Sequence, residues 1–179
     1  MGFAVELHID EANATPIVAL SDAIYAQCGG ASLTGMGGHP HISLTVFAQL
    51  ADPAPVAVLL AEFAAEISPI PVTFSAIGVF SGTQGVVYLA PVVTAELLAY
   101  HRRFHERLAA QAIPSNAYYL PGNWIPHCTV GFELPADKIG QAVTLCQQAN
   151  IFRAVTLTTI RLIEFRPVRP IFTYHLQGV

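Results

Sequence analysis

Apolar and polar residues follow two different periods along the chain, and their order predicts a mixed fold. Short runs rich in β-branched and aromatic residues at 3–8, 41–47, 72–79, 86–90 and 127–132 read as strands. Two more, at 155–165 and 171–176, are joined through a turn running from Arg166 to Pro170. The helical stretches between them are marked by their starts. Thr15-Pro16, Asp52-Pro53 and Leu134-Pro135 each place proline at a first helical position, where its missing N–H costs nothing. Thr94 can cap a segment running to about Gln111. The 53–67 stretch is apolar almost all round, with Glu62 and Glu66 as its polar edge, whereas 94–111 is amphipathic.

In chain order these elements form a repeat. The first half reads strand, helix, strand, helix, strand, and the second repeats that order and adds a final strand. The strands beginning at His41 and His127 lie about half the chain apart. The order predicts an α+β fold: one bilobal domain spanning 1–179, with 1–84 and 85–179 as pseudo-symmetric repeats of antiparallel sheet and flanking helices around a central cleft.

Composition narrows the function classes. With 53% hydrophobic and 11% charged residues in 179, the chain is far from disordered and long enough to bury a core without staples. The formal charge of −4 excludes a general polyanion-binding surface. Its distribution is more telling, because residues 1–90 carry acids at 6, 10, 11, 22, 52, 62 and 66 and neither Lys nor Arg. Cys28, Cys128 and Cys146 are odd in number and form no CxxC pair, which points to small core residues in a reducing compartment. The acidic start does not fit a secretory signal. The uncharged stretches 23–51 and 67–95 are broken by Pro and Gly, short of the ~20 continuous apolar residues of a spanning helix. A soluble, cytoplasmic protein with no membrane partner is expected.

The chemistry concentrates in two pentapeptides. Pro40-His41-Ile42-Ser43-Leu44 and Pro126-His127-Cys128-Thr129-Val130 both spell Pro-His-x-hydroxyl-aliphatic, and both open equivalent strands. A strand period of two puts His41 with Ser43, and His127 with Thr129, on one face, leaving the aliphatic residues and Cys128 for the core. Cys128 is therefore expected to be buried rather than nucleophilic. His101 and His105 have the i, i+4 spacing of a metal pair. Arg102, Arg103 and Arg107 surround them and no third ligand is evident, so a solvated helix face is the expectation. His39, after Gly37-Gly38, reads as an exposed loop residue, and His8 shares a polar strand face with Glu6 and Asp10. The glycines at 29–30 and 35–38 lack the Lys-Ser/Thr of a phosphate loop.

The paired pentapeptides resemble the His-x-Thr/Ser signatures of the two-histidine (2H) phosphoesterases, the superfamily that includes the 2′-5′ RNA ligase-like cyclic phosphodiesterases. The likeness in element order spans essentially the whole chain, and its sequence-specific part is these two pentapeptides. Ser43 stands where Thr is commoner and keeps the hydroxyl. The resemblance implies a cleft between lobes, no metal or other cofactor, and opening of 2′,3′-cyclic phosphates by His41 and His127 as an acid/base pair. It implies His127 as base and His41 as acid for ring opening, although the residues alone leave the order open. Ser43 and Thr129 would hold the phosphate. Two imidazoles suit this reaction near neutral pH because each can hold either proton state.

The expected activity is thus a metal-independent phosphodiesterase acting on a small nucleotide or an RNA terminus, with reversible 2′-5′ RNA ligation as a companion reaction. The rivals are hydrolysis of another cyclic phosphate such as that of ADP-ribose, 3′-5′ RNA trimming, and, from a different class, a nucleotide-binding module without turnover. Tyr119 and Trp124, in the loop SNAYYLPGNW with Tyr118, are candidates for stacking a base. Arg166 and Arg169, flanking the last hairpin turn, are candidates for reaching a phosphate. Extended nucleic-acid binding is not expected.

Overall fold

The computed structural model describes residues 2–178. Seven strands, β1 (Gly2–Ile9), β2 (His41–Phe47), β3 (Ile70–Val79), β4 (Val87–Pro91), β5 (Cys128–Gly131), β6 (Ala154–Phe165) and β7 (Arg169–His175), form an all-antiparallel sheet. Its order is β2-β1-β6-β3-β4-β5, with β7 paired to β6. Four α-helices accompany it: α1 (Glu11–Cys28), α2 (Ala54–Glu66), α3 (Ala95–Ala110) and α4 (Ile139–Gln148).

The strand order reads the same from both ends when β1, β2 and β6 are exchanged with β4, β5 and β3, which is a pseudo-two-fold. The lobes it relates are not the two sequence halves. β3, from the first half, completes the sheet of β4 and β5, while β6 and β7, from the second half, complete the sheet of β1 and β2. The two lobes meet where Ile70–Thr73 of β3 pairs with the start of β6. Helices follow suit: α1 packs on α4 and β5, and α2 on β6, β7 and α3.

Local chemistry explains most element ends. Thr94 caps α3 by accepting from the Leu97 N–H, and Asp52 accepts from the Ala54 N–H at the start of α2. α1 departs from the expectation of a start at Thr15-Pro16. It begins at Glu11, because the Asp10 carboxylate accepts from the Asn13 N–H as an N-cap and also from the Thr156 N–H of β6. Pro16 then lies inside the helix. A short 3₁₀ turn at Ala136–Lys138 precedes α4 rather than an α-helix starting at Pro135.

The three cysteines are free and buried. Among the described residues no helix is long and apolar enough to cross a membrane, and no group of three His, Cys, Asp or Glu is placed to hold a metal ion.

Candidate active site

The two motif strands occupy opposite ends of the strand order, five inter-strand spacings apart. In a flat sheet that would be about 24 Å. The structure brings them together: β2 touches β5, the Trp124 indole N–H donates to the Ser43 carbonyl at 2.9 Å, and Thr129 lines a small cavity together with His41. The sheet therefore curls until its ends meet, and the motifs face one site.

Both motifs are aimed by the same backbone device. The β1–β2 ladder has an irregularity between Val5 and Glu6, and the β4–β5 ladder has one at the equivalent place between Val87 and Tyr88. Such bulges re-aim side chains next to functional sites. In consequence Ser43 stands opposite Glu6, and Thr129 opposite Tyr88. Each histidine is then oriented alike: the His41 Nδ1–H donates to the His39 carbonyl at 2.6 Å, and the His127 Nδ1–H to the Ile125 carbonyl at 2.7 Å. A carbonyl can only accept, so Nδ1 carries a proton in both rings and Nε2 is the nitrogen left for other partners.

Around Nε2 the two halves differ. His41 Nε2 lies 3.2 Å from Glu6 Oε1, and Glu6 Oε2 takes a 2.8 Å hydrogen bond from His8 Nε2. Glu6 is 5% exposed. Burial pushes its carboxyl up, but the charge of His41, the hydrogen bond from His8 and the charge of Arg161 outweigh burial and hold it below the usual carboxylate range. His41 thus has a carbonyl at Nδ1 and an ionised carboxylate beside Nε2. Burial lowers His8 to about 4, against the pull of Glu6, so it stays neutral. His8 also meets His39, whose ring stacks on it at 5.0 Å, and His39 reaches Glu11 at 3.4 Å. The half-buried His39 is thus engaged, not the exposed loop residue its glycine-rich setting suggests.

His127 sits between aromatic walls. Its ring meets Phe80 at 4.8 Å and Tyr88 at 5.3 Å, both edge-on. Burial lowers its proton affinity, the Ile125 carbonyl opposes this, and the nearby charge of His41 lowers it further. His127 is the neutral imidazole, and its Nε2 lone pair is left to the cleft. This cleft, of about 790 Å³, is lined by His127, Thr129, Phe80, Tyr118, Tyr119, Trp124 and Phe132 among others, with no Lys or Arg among them.

The candidate contacts sort unevenly. Tyr119 lines the cleft and is half-buried, while Tyr118 is 82% exposed at its wall. Trp124 lines the cleft too, but it is mainly a brace, holding Ser43 through its N–H and stacking flat on His101 at 3.9 Å. His101 and His105 are buried beneath it, correcting the solvated-face expectation: His105 Nε2 donates to the Leu44 carbonyl at 3.1 Å, and the loop carrying Trp124 covers His101. Arg166 is exposed, pairs with Glu133 at 3.4 Å and lies over Phe132 at the cleft rim, and Arg169 is exposed on β7 opposite Glu164. Strand register brings a further basic residue to the histidines, one that the sequence alone did not single out from the eight basic residues of the second half. Arg161 of β6 stands opposite Glu6, and its buried Nε has no partner among the described residues.

Comparison with known proteins follows this geometry. Residues 37–168 match the model of the 2′-5′ RNA ligase superfamily. Among solved structures, TT0787 of Thermus thermophilus is similar at TM-score 0.65 and 15% identity, with 99% of each chain covered. E. coli LigT complexed with 3′-AMP is similar at TM-score 0.63 and 12% identity, covering 98% of this chain and 97% of that one. Usb1 of Kluyveromyces marxianus with uridine monophosphate gives 0.50 and 12%, covering 98% and 96%. At these identities the likeness shows a shared fold. No curated protein matches by sequence.

Proposed function

Because the chain belongs to the 2′-5′ RNA ligase superfamily of two-histidine phosphoesterases, we propose that it opens 2′,3′-cyclic phosphates on nucleotides or short RNA termini without a metal ion. The observation that carries this reading is the unlike surroundings of two imidazoles in one site. His41 has an acceptor at each ring nitrogen, and His127 has one at Nδ1 alone, with apolar rings around it.

In the proposed reaction His127 Nε2 takes a proton from water as the water oxygen bonds to phosphorus. The bond from phosphorus to one ribose oxygen breaks, and His41 Nε2 gives its proton to that oxygen. The products are a phosphomonoester, a free hydroxyl and an imidazole pair with exchanged proton states, which solvent resets. The same groups in the same roles would serve ligation to a 2′,5′ bond, with a hydroxyl in place of water, and cleavage of that bond would exchange them. Ser43 and Thr129 donate to the non-bridging oxygens, where charge is greatest in the transition state. Arg161, one strand beyond Glu6, offsets the carboxylate so that the site keeps a net positive charge for its anion.

A cleft walled by Tyr118, Tyr119 and Phe132 and without Lys or Arg suits a nucleobase and one phosphate better than a chain of phosphates. The test is hydrolysis of 2′,3′-cyclic nucleotides by EDTA-treated protein. A bell-shaped pH profile is expected, with loss of roughly 10²–10⁴-fold in His41→Ala and in His127→Ala. Turnover that requires a metal, or full activity in both variants, refutes the mechanism. Tight nucleotide binding with no turnover would leave a binding module instead.

A further inference from the structure

The pseudo-two-fold makes Glu6 and Tyr88 equivalent. Each stands on the strand that pairs with a motif strand, each directly follows the ladder irregularity, and each is opposite the motif hydroxyl. The Nδ1 hydrogen bond two residues back is repeated as well. The two catalytic imidazoles therefore differ chiefly in what this one position offers them: a carboxylate oxygen 3.2 Å from Nε2 in one lobe and the edge of a phenol ring in the other.

We propose that Glu6 is the positioning residue that makes His41 the acid of the pair, its carboxylate keeping a proton on Nε2 between turnovers, while Tyr88 gives His127 no such partner. This rests on the acid/base reading of the site. The supports of Glu6 are part of the device. His8, on the same strand, occupies the second carboxylate oxygen as a neutral donor, so the carboxylate cannot rotate away from His41. His39 fixes the His8 ring from behind, with Glu11 beyond it. Arg161 on β6 faces Glu6 and favours its ionised form. Tyr119 and the Cys128 thiol also feel the Glu6 charge, and both are held protonated, first of all by burial. His8 and Arg161 thus favour an ionised Glu6 held facing His41.

The contact also fits a resting state. At 3.2 Å it is longer than the 2.7–2.9 Å of a strong charge-assisted bond, and the His41 side chain is 28% exposed. A leaving oxygen arriving from the cleft can therefore take over the Nε2 proton without first breaking a tight ion pair.

Two readings of Glu6→Gln test this, one independent of turnover. Ring ¹⁵N spectra of the free protein at pH 7 should show both His41 nitrogens protonated in the wild type, and Nε2 largely deprotonated in Glu6→Gln, with His127 neutral in both. In kcat/KM against pH, the alkaline limb, where the acid is lost, should move to lower pH by about one unit or more. On that limb each unit lowers the rate tenfold. Glu6→Asp keeps a charge within reach and should retain the wild-type limb, which a purely structural role for the longer side chain would not allow. An unchanged His41 proton state in Glu6→Gln, or an unmoved alkaline limb, overturns the proposal. If Glu6→Gln does not fold, wild-type ring spectra decide: a His41 with a bare Nε2 at pH 7 overturns it. Absence of turnover in the wild type would refute the acid/base reading while leaving the spectra to judge Glu6.

Discussion

Replacing His101 with phenylalanine should remove a large part of the acid sensitivity of this fold. His101 is 2% exposed, lies flat on Trp124 with 3.9 Å between ring centres, and has His105 beside it at 4.4 Å. Burial lowers its pKa to about 4, the neighbouring His105 adds to this, and the carbonyls of Tyr119 and Leu44 oppose it. The unfolded chain titrates near 6.5, so below that pH the unfolded state binds the extra proton. The stability contributed by a neutral His101 is present above 6.5 and is lost as the pH falls toward 4. The gap is worth about 3 kcal/mol when complete and about 2 kcal/mol by pH 5. Phenylalanine keeps a ring on Trp124 and cannot take a proton.

Urea unfolding followed by the fluorescence of Trp124, the single tryptophan, gives both stabilities at pH 8, 6 and 5. Wild type should lose about 2 kcal/mol more than His101→Phe between pH 8 and 5. His8, lowered to about 4 as well, titrates in both proteins and cancels in the difference. Parallel pH dependence of the two proteins would show that His101 is not the buried neutral group described. Activity should follow the same change, because Trp124 holds the Ser43 carbonyl and loosening its stack on His101 loosens the motif strand.

Other substitutions address the site directly. Ser43→Ala and Thr129→Ala should each lower kcat by about 10²–10³-fold with little effect on folding, as for the loss of one oxyanion donor; a change within twofold would remove that hydroxyl from the mechanism. A Cβ at Gly78 would come within 2.1 Å of the Tyr88 ring, so Gly78→Ala should push that ring off His127. With less desolvation His127 protonates more readily, and the acid limb of kcat/KM should move to higher pH; an unmoved limb speaks against the aromatic cage. Tyr118→Ala should raise KM for cyclic nucleotides by roughly 5- to 150-fold, the range of base stacking, at unchanged stability. Binding of a short oligonucleotide should depend weakly on salt, with a log–log slope no steeper than about −1; a steep slope would reveal phosphate contacts beyond the cleft.

How much of this was legible in the sequence follows from how local each feature is. The strand positions and the facing of His41 with Ser43 and His127 with Thr129 depend on a period of two within single strands. The start of α3 depends on one side chain, Thr94, and its own turn. The features that escaped depend on a partner element. Glu6 becomes a neighbour of His41 only through the β1–β2 register. His101 and His105 read as a polar helix face until the 116–125 loop lays Trp124 over it. Trp124 reads as a base-stacking residue for the same reason, since its N–H partner at Ser43 lies 81 residues away. At α1 two local signals compete, and Asp10 prevails because it caps the helix and binds the Thr156 N–H of a distant strand at once.

Strand exchange also changes what the charge pattern means. Residues 1–90 hold no Lys or Arg, and in a molecule whose lobes were its sequence halves, one side of the cleft would have to hold an anion with His41 and Ser43 alone. β6 removes that constraint, because it leaves the basic half to pair with β1 and delivers Arg161 to the position opposite Glu6. The reciprocal strand, β3, carries no charged residue into the other lobe, where His127 stays uncharged against Phe80 and Tyr88. One exchange of equivalent strands therefore concentrates the fixed charges, Glu6 and Arg161, beside His41 and leaves His127 without a charged partner. That separation is what an acid and a base built from two identical side chains require.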